Sequence, residues 1–260
     1  MTRPIRVALQ LQQQHAEYAE IRDAVVRGEE MGVDIVFNWD HFYPLSGDPG
    51  GKHFECWTML GSWAEVTERV EIGALVTANS YRNPELVADM ARTVDHASDG
   101  RLILGIGAGW FEKDYEEYGY DFGTAGSRLA DLRQALPRIK ERFGKLNPAP
   151  TRDIPILIGG GGERKTLRYT AEHADIWHGF GQPDVIGHKN RVLDNHCADV
   201  GRDPADIERS CGANVRRVEI GDDIVEAGAT LITLGLDGRS GYDLSPVTDW
   251  LAWRDQRNSS

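Results

Sequence analysis

Residues 156–167, ILIGGGGERKTL, join an apolar run to a helix-like segment through four consecutive glycines. Backbone N–H groups that no side chain covers form an anion site at the start of a helix. A mobile surface loop is the alternative interpretation, because glycine-rich turns are also common in loops. The position of this stretch within the chain decides between two folds.

Segments with strand-like and helix-like patterns alternate along the whole chain. The helix-like segments, such as Tyr18–Met31, place apolar residues on one stripe, and the strand-like ones are dense in Val, Ile and Leu. Strands of this kind, each followed by a helix, indicate a parallel sheet covered by helices. The predicted strands are residues 5–11, 33–37, 70–77, 102–106, 154–158, 174–177, 207–215 and 230–234.

Eight strand–helix units in about 255 residues match a (β/α)₈ barrel, with a doubly wound sheet as the alternative. A dinucleotide-binding glycine motif normally follows the first strand of a doubly wound sheet. Here the first strand is followed by residues 12–15, QQQH, and the four glycines follow the fifth strand. We therefore predict an α/β fold, a single (β/α)₈ TIM barrel over residues 1–257, with a loose tail at 258–260.

Composition excludes several classes of function. The net charge of −12 argues against nucleic acid as a partner. No apolar run reaches the ~18 residues that a membrane span needs, and no signal peptide is evident. Cys56, Cys197 and Cys211 are scattered and suggest neither a disulfide framework nor a metal site. We expect a cytoplasmic protein without a metal.

In a barrel, chemistry belongs at the carboxyl ends of the strands. Asp40 and His41 follow the second predicted strand, Trp110 follows the fourth, and His178 follows the sixth. Each has a structural alternative: the Asp–His pair as a loop cap, Trp110 as a core residue and His178 as a surface residue. Their placement on one predicted rim favours a functional site.

Three familiar barrel chemistries fit poorly. The histidines are not clustered as metal ligands, no predicted strand contains a lysine for a Schiff base, and no spacing supports Glu112 and Glu219 as a glycosidase pair. A phosphate-bearing organic cofactor needs a glycine backbone for the phosphate and an apolar wall for the ring. The predicted rim supplies both.

Three segments together resemble the bacterial luciferase-like superfamily, and most closely its actinobacterial members that use the deazaflavin coenzyme F420. The likeness runs over about residues 5–179 and more loosely through 226–235, EAGATLITLG. It implies a (β/α)₈ barrel and an oxidoreductase that holds a flavin or deazaflavin at the strand ends. The segments are WDHF (39–42), GALVTANSYRNPELVADMARTVDHASDGRLILGIGAGWFEKDYEEYG (73–119) and ILIGGGGERKTLRYTAEHADIWHG (156–179).

The resemblance also implies roles for matched residues. His41 is the expected catalytic residue beside the ring, a non-proline cis peptide between Leu75 and Val76 lies behind the ring, and the glycines of the opening stretch bind the phosphate. The expected cofactor contacts are Asp40, His41, Leu75, Val76, Thr77, Gly107, Ala108, Gly109, Gly160, Gly161 and Gly162.

One departure from the family pattern bears on the substrate. The sugar-phosphate dehydrogenases of the superfamily carry a glutamate at the position of Trp110, so Trp110 indicates a substrate pocket for a hydrophobic enone, imine or aromatic compound. The connection over residues 216–229 is too short for the usual insertion, which predicts a more open or partner-completed pocket. We expect hydride transfer between F420 and such a substrate. An FMN-dependent monooxygenase and a non-catalytic flavin-binding protein remain the alternatives.

Two further expectations concern charge and assembly. A basic exit formed by Lys52, Arg82, Arg164 and Lys165 would suit the anionic tail of F420 and favours it over FMN. Residues 57–63, which begin and end with tryptophan, would supply the apolar surface of a homodimer.

Overall fold

The computed structural model describes residues 3–239 and 241–259, and its parallel strands close into a barrel surrounded by helices. The strands are β1 (Arg6–Gln12), β2 (Ile35–Asn38), β3 (Glu71–Ala74), β4 (Thr77–Ala78), β5 (Leu102–Gly107), β6 (Ile156–Gly159), β7 (Ile176–Gly179), β8 (Glu208–Ala213) and β9 (Leu231–Asp237). The helices are α1 (Tyr18–Met31), α2 (Cys56–Val66), α3 (Pro84–Ala97), α4 (Glu112–Tyr118), α5 (Ala125–Phe143), α6 (Thr166–His173), α7 (Pro183–Val200), α8 (Gly221–Glu226) and α9 (Val247–Asn258).

The barrel closes because β3 and β4 are two pieces of one barrel strand. Both pair with β5, and β1 pairs with β2 on one side and with β9 on the other. The eight resulting barrel positions confirm the predicted TIM barrel. The prediction of one continuous strand over residues 70–77 is wrong, because the strand is interrupted at Leu75 and Val76. There the Leu75 carbonyl accepts a hydrogen bond from the Gln10 side chain, and the peptide between Leu75 and Val76 is cis, as the resemblance implied.

Local sequence explains where the helices begin and end. Glu17 and Glu20 form a capping box before α1, and Gly32 ends that helix in the left-handed conformation (φ 99°). Asn83 caps α3 through its side chain, with Pro84 in the first turn. These signals position the helices whose apolar faces cover the barrel.

The inside of the barrel is packed toward its amino-terminal end. Ala8, Phe37, Ile103 and Leu157 belong to an apolar cluster of inward-facing residues. At the bottom Arg6 donates to Glu71 (2.6 Å) and Glu208 (2.5 Å). Because side chains fill this end, the space for a ligand lies toward the carboxyl ends of the strands.

Two expectations about the surface are wrong. Trp57 and Trp63 are buried in α2, so they pack inside the chain and supply no surface for a partner. Asn258 is not part of a loose tail, because it ends α9 and its side chain bonds the backbone N–H and carbonyl of Ile5 (2.8 and 2.9 Å). Ser260 lies outside the described residues. Over the two described ranges, no helix is long and apolar enough to cross a membrane.

Candidate active site

A cavity of about 610 Å³ opens at the carboxyl ends of the barrel strands. Of the expected cofactor contacts, Thr77, Gly161 and Gly162 are not in its lining. Its lining residues are Gln10, Trp39, Asp40, His41, Leu45, Leu75, Val76, Ala78, Gly107, Ala108, Gly109, Trp110, Ala125, Arg128, Leu129, Gly159, Gly160, Thr166 and Phe180.

The Val76 side chain packs against two glycines of neighbouring strands. A Cβ atom at Gly107 would lie 2.8 Å from Cγ2 of Val76, and one at Gly159 would lie 2.9 Å from Cγ1. Real Cβ atoms essentially never approach so closely. The Val76 side chain fits in the cavity wall because the residues at the ends of β5 and β6 are glycines.

His41 lines the cavity with one ring nitrogen turned away toward helix α4. Its Nδ1 lies 2.7 Å from Oδ2 of Asp114, which is completely buried. Tyr81 donates its hydroxyl to the same oxygen (3.0 Å), and the Phe42 N–H donates to Oδ1 (3.1 Å). Neither Asp114 nor its helix was predicted, because the seven-residue EKDYEEY segment has no apolar period.

Asp40 lines the cavity wall, but both of its oxygens are already bonded. Arg82 donates from Nη1 to Oδ2 (2.6 Å) and from Nη2 to Oδ1 (3.1 Å), and the Ala78 N–H donates to Oδ2 (3.0 Å). Burial raises the pKa of the Asp40 carboxyl, and Arg82 acts in the opposite direction. Arg82 also pairs with Glu55 (2.7 Å), so two carboxylates offset its charge. The expectation that Arg82 contributes to a basic exit for the cofactor tail is therefore wrong.

The glutamine-rich segment after β1 holds the loop after β2. Oε1 of Gln13 accepts from the Trp39 N–H (3.1 Å), and Gln14 bonds the Leu45 N–H and the Ser46 hydroxyl. Trp39 in turn packs edge-on against His41, with ring centroids 6.0 Å apart. These contacts fix the backbone that carries Asp40 and His41.

Two large aromatic residues stand at the mouth of the cavity. Trp110 is 62% exposed and Phe180 is 67% exposed, yet both line the cavity. The Trp110 ring meets the His41 ring edge-on at 5.7 Å. Phe180 was not predicted, although it directly follows β7. The mouth therefore presents apolar surface to whatever enters.

The glycines after β6 are not equivalent. The Gly160 N–H donates to the His178 carbonyl (3.1 Å), so it is engaged within the barrel. A Cβ atom at Gly161 would meet only Cε of Lys189, at 3.8 Å, within a 4 Å radius. The helix α6 begins shortly after these glycines, at Thr166, which lines the cavity. A small side chain at Gly161 would therefore meet no close contact from the described residues.

Arg128 places a buried positive charge in the cavity wall. Its Nε donates to the Gly109 carbonyl (3.1 Å), its Nη1 donates to the Phe122 carbonyl (2.7 Å), and its guanidinium lies over the Phe122 ring. Within residues 3–239 and 241–259, no carboxylate forms an ion pair with it. A buried charge without a counter-charge is costly, so an anionic group in the cavity would be stabilised here.

His178 lies inside the barrel rather than on its surface. Its Nδ1 is 2.9 Å from the Ser210 hydroxyl, and burial lowers its pKa to about 4. The imidazole is therefore neutral at pH 7. In the described part of the chain, no three histidine, cysteine or carboxylate side chains are grouped as metal ligands.

A closed (β/α)₈ barrel with a cavity at its strand ends defines a broad class of enzyme folds. A family model described as luciferase-like monooxygenase matches residues 2–229, so the chain belongs to the luciferase-like monooxygenase family. The family resemblance expected from the sequence is thereby confirmed.

Two relatives and one solved structure are also similar to this chain. An uncharacterized protein of Mycobacterium tuberculosis is 25% identical over 233 residues, 81% of each chain. An F420-dependent glucose-6-phosphate dehydrogenase of Amycolatopsis mediterranei is 31% identical over 167 residues, which are 56% of this chain and 50% of that protein. The fold is similar to an F420-dependent secondary alcohol dehydrogenase in complex with an F420-acetone adduct (TM-score 0.83, 14% identity, 94% and 96% of the two chains).

Proposed function

We propose that this chain is an F420-dependent oxidoreductase that transfers a hydride between the deazaflavin and a small, hydrophobic organic substrate. The observation that carries the proposal is the lining of the cavity. It combines an imidazole, apolar walls and a buried guanidinium that has no carboxylate partner among the residues that the structure describes. Relatives and structural neighbours that are named as F420-dependent enzymes support the choice of cofactor.

The residues present fit such a cofactor. The cavity volume of about 610 Å³ lies in the range of organic ligand sites. Leu75 and Val76 would hold the ring, and Gly107 and Gly109 would follow the side chain. Gly161 would bind the phosphate beside Gly160, whose own N–H is bonded to the His178 carbonyl. Arg128 supplies the positive charge that an anionic group requires. When bound, F420 supplies a ring carbon that accepts or donates a hydride.

The chain's own residues would supply the remaining parts of the reaction. His41 is placed to hold or accept the substrate proton that accompanies hydride transfer. Trp110 and Phe180 would orient an apolar substrate at the mouth and exclude water. Asp40 has both oxygens bonded, so its part is to fix the backbone beside His41 rather than to move a proton.

Titration of the purified protein with F420 and with FMN tests the cofactor. We expect tighter binding of F420, weakened when the phosphate side chain is removed, and F420-dependent reduction of apolar enones or imines, or the reverse oxidation. Tighter binding of FMN with FMN-supported turnover would favour the monooxygenase alternative. Binding of F420 without turnover of the reduced or oxidised cofactor would favour the non-catalytic alternative.

We also propose that the protein forms a homodimer and acts in the cytoplasm. The connection between β8 and β9 consists of a short 3₁₀ turn and α8. A second copy would supply the cover that this connection is too short to provide. Sedimentation at micromolar concentration should give a mass of about twice 28.9 kDa. A single species near 28.9 kDa would contradict the dimer.

A further inference from the structure

His41 and Asp114 are 73 positions apart in the sequence and in direct contact in the fold. The 2.7 Å separation between Nδ1 and Oδ2 is that of a charge-assisted hydrogen bond. The contact is buried, with the His41 side chain 11% exposed and that of Asp114 fully enclosed. Water therefore does not compete for this nitrogen.

The surroundings of Asp114 fix its role as an acceptor. The Phe42 N–H can only donate, and it donates to Oδ1. The Tyr81 hydroxyl donates to Oδ2, and burial together with the nearby Asp114 raises the pKa of Tyr81, which keeps its proton on the oxygen. Both carboxylate oxygens thus receive hydrogen bonds, as an ionised carboxylate requires.

We propose that Asp114 is a positioning residue that holds His41 in the tautomer protonated at Nδ1. The other tautomer would bring two lone pairs to 2.7 Å, which is repulsive. With the proton at Nδ1, Nε2 becomes the acceptor nitrogen available to the cavity. The use of that nitrogen to accept a substrate proton rests on the proposed function, whereas the tautomer itself does not.

Substitution of Asp114 by asparagine should reverse the arrangement. The Phe42 N–H needs an acceptor, so the oxygen of the new side-chain amide should face it. The amide NH₂ then faces His41 and Tyr81. Nδ1 must then accept, and the imidazole proton moves to Nε2. Tyr81→Phe is the matched control, because it removes one donor to Asp114 and leaves the contact with His41 intact.

Imidazole ¹⁵N NMR on the protein without added cofactor reports the tautomer directly. The measurement is made at about pH 8, where an ordinary imidazole is neutral. A His41→Gln variant assigns the His41 signals. We expect a protonated Nδ1 in the wild type and in Tyr81→Phe, and a protonated Nε2 in Asp114→Asn. The His178 signals, whose ring bonds Ser210, should stay in place in all variants.

A wild-type His41 protonated at Nε2 would overturn the proposal even if Asp114→Asn fails to fold. An unchanged tautomer in a folded Asp114→Asn would overturn it as well. With F420 and a substrate, Asp114→Asn should lower kcat by about 10²-fold or more while F420 affinity stays within about twofold. A correct tautomer in a protein that does not bind F420 would contradict the proposed function alone.

Discussion

Arg82 donates hydrogen bonds to both carboxylate oxygens of Asp40, at 2.6 and 3.1 Å, and neither side chain is more than 11% exposed. The pair joins the segment after β2 to the segment after β4. Because His41 is the next residue along the chain, this ion pair fixes one side of the candidate active site through a contact that a ligand need not touch.

Removal of Arg82 should destabilise the fold. Arg82→Met leaves the Asp40 carboxylate buried without its counter-charge, and breaking a buried pair from one side costs about 3–5 kcal/mol. Urea unfolding measures the loss. The control is Arg138→Met, which breaks an exposed pair with Glu85 (2.6 Å) and should leave the unfolding midpoint almost unchanged. Equal effects of the two substitutions would contradict the structural importance of the Arg82–Asp40 pair.

The cost of Arg82→Met should depend on pH. Burial raises the folded-state pKa of Asp40, and Arg82 opposes that rise, so the variant has a still higher folded-state pKa. For an acid with a raised pKa, stability is unaffected below the unfolded value of about 3.9 and is lost as pH rises from there to the folded value. The difference in unfolding free energy between variant and wild type should therefore be larger at about pH 7 than at about pH 4. An equal difference in unfolding free energy at the two pH values would contradict ionisation of Asp40 as the cause. So would a pH-dependent difference that persists when Asp40→Asn is present in both proteins.

His41→Ala should lower turnover by about 10²-fold or more, because a positioned acid–base group contributes on that scale. F420 binding should weaken less than turnover falls. His96→Ala is the control, since His96 is exposed and its ring bonds the Ala149 carbonyl on the outside of the barrel. Turnover of His41→Ala within about twofold of the wild type would assign His41 a structural role.

Gly161→Val should weaken F420 affinity at least tenfold, which corresponds to about 1.4 kcal/mol. A Cβ atom at this position would lie 3.8 Å from Cε of Lys189, which is an ordinary contact. The barrel should therefore remain folded, and a loss of affinity would indicate contact with the cofactor. Gly144→Val is the matched control, because a Cβ atom there would approach a backbone carbonyl at 3.6 Å and the residue lies near Ile154 and Ile156, at the amino-terminal end of β6 and away from the cavity. Unchanged affinity of Gly161→Val by calorimetry would remove Gly161 from the phosphate site.

Trp110→Ala should raise the KM for an apolar substrate at least tenfold, or about 1.4 kcal/mol, because the exposed indole lines the mouth of the cavity. F420 affinity should change little. Leu86→Ala removes a comparably exposed side chain from α3, outside the cavity lining, and serves as the control. Equal KM values for Trp110→Ala and Leu86→Ala would show that the substrate does not touch the tryptophan.

The fold could be predicted where a segment carries its own periodicity. The limits of α1 agree with the prediction, because Ile21, Val25 and Gly28 repeat at helical spacing and Gly32 stops the helix. The barrel could be predicted from the alternation of strand-like and helix-like segments along the chain. The break between β3 and β4 is not encoded by hydrophobic pattern, since apolar residues run through it, and only the family resemblance indicated the cis peptide.

The candidate site was predictable only in part, for a related reason. Residues that lie within a few positions of a strand end, such as His41 and Trp110, were found from their position in the chain. Asp114 and Arg128 reach the site from helices α4 and α5, through contacts between distant parts of the sequence. The predictions that Trp57 lies on a dimer surface and that Arg82 contributes to a basic exit are wrong. Residue type alone does not indicate which side chains the fold buries or pairs.

The packing of Val76 between Gly107 and Gly159 makes these three positions a single steric unit drawn from three barrel strands. A methyl group added at either glycine occupies the space of one valine γ-carbon, so it becomes tolerable only if residue 76 becomes smaller. A substitution at one of the three positions therefore requires a compensating substitution at another. The shape of this part of the cavity wall depends on all three residues together.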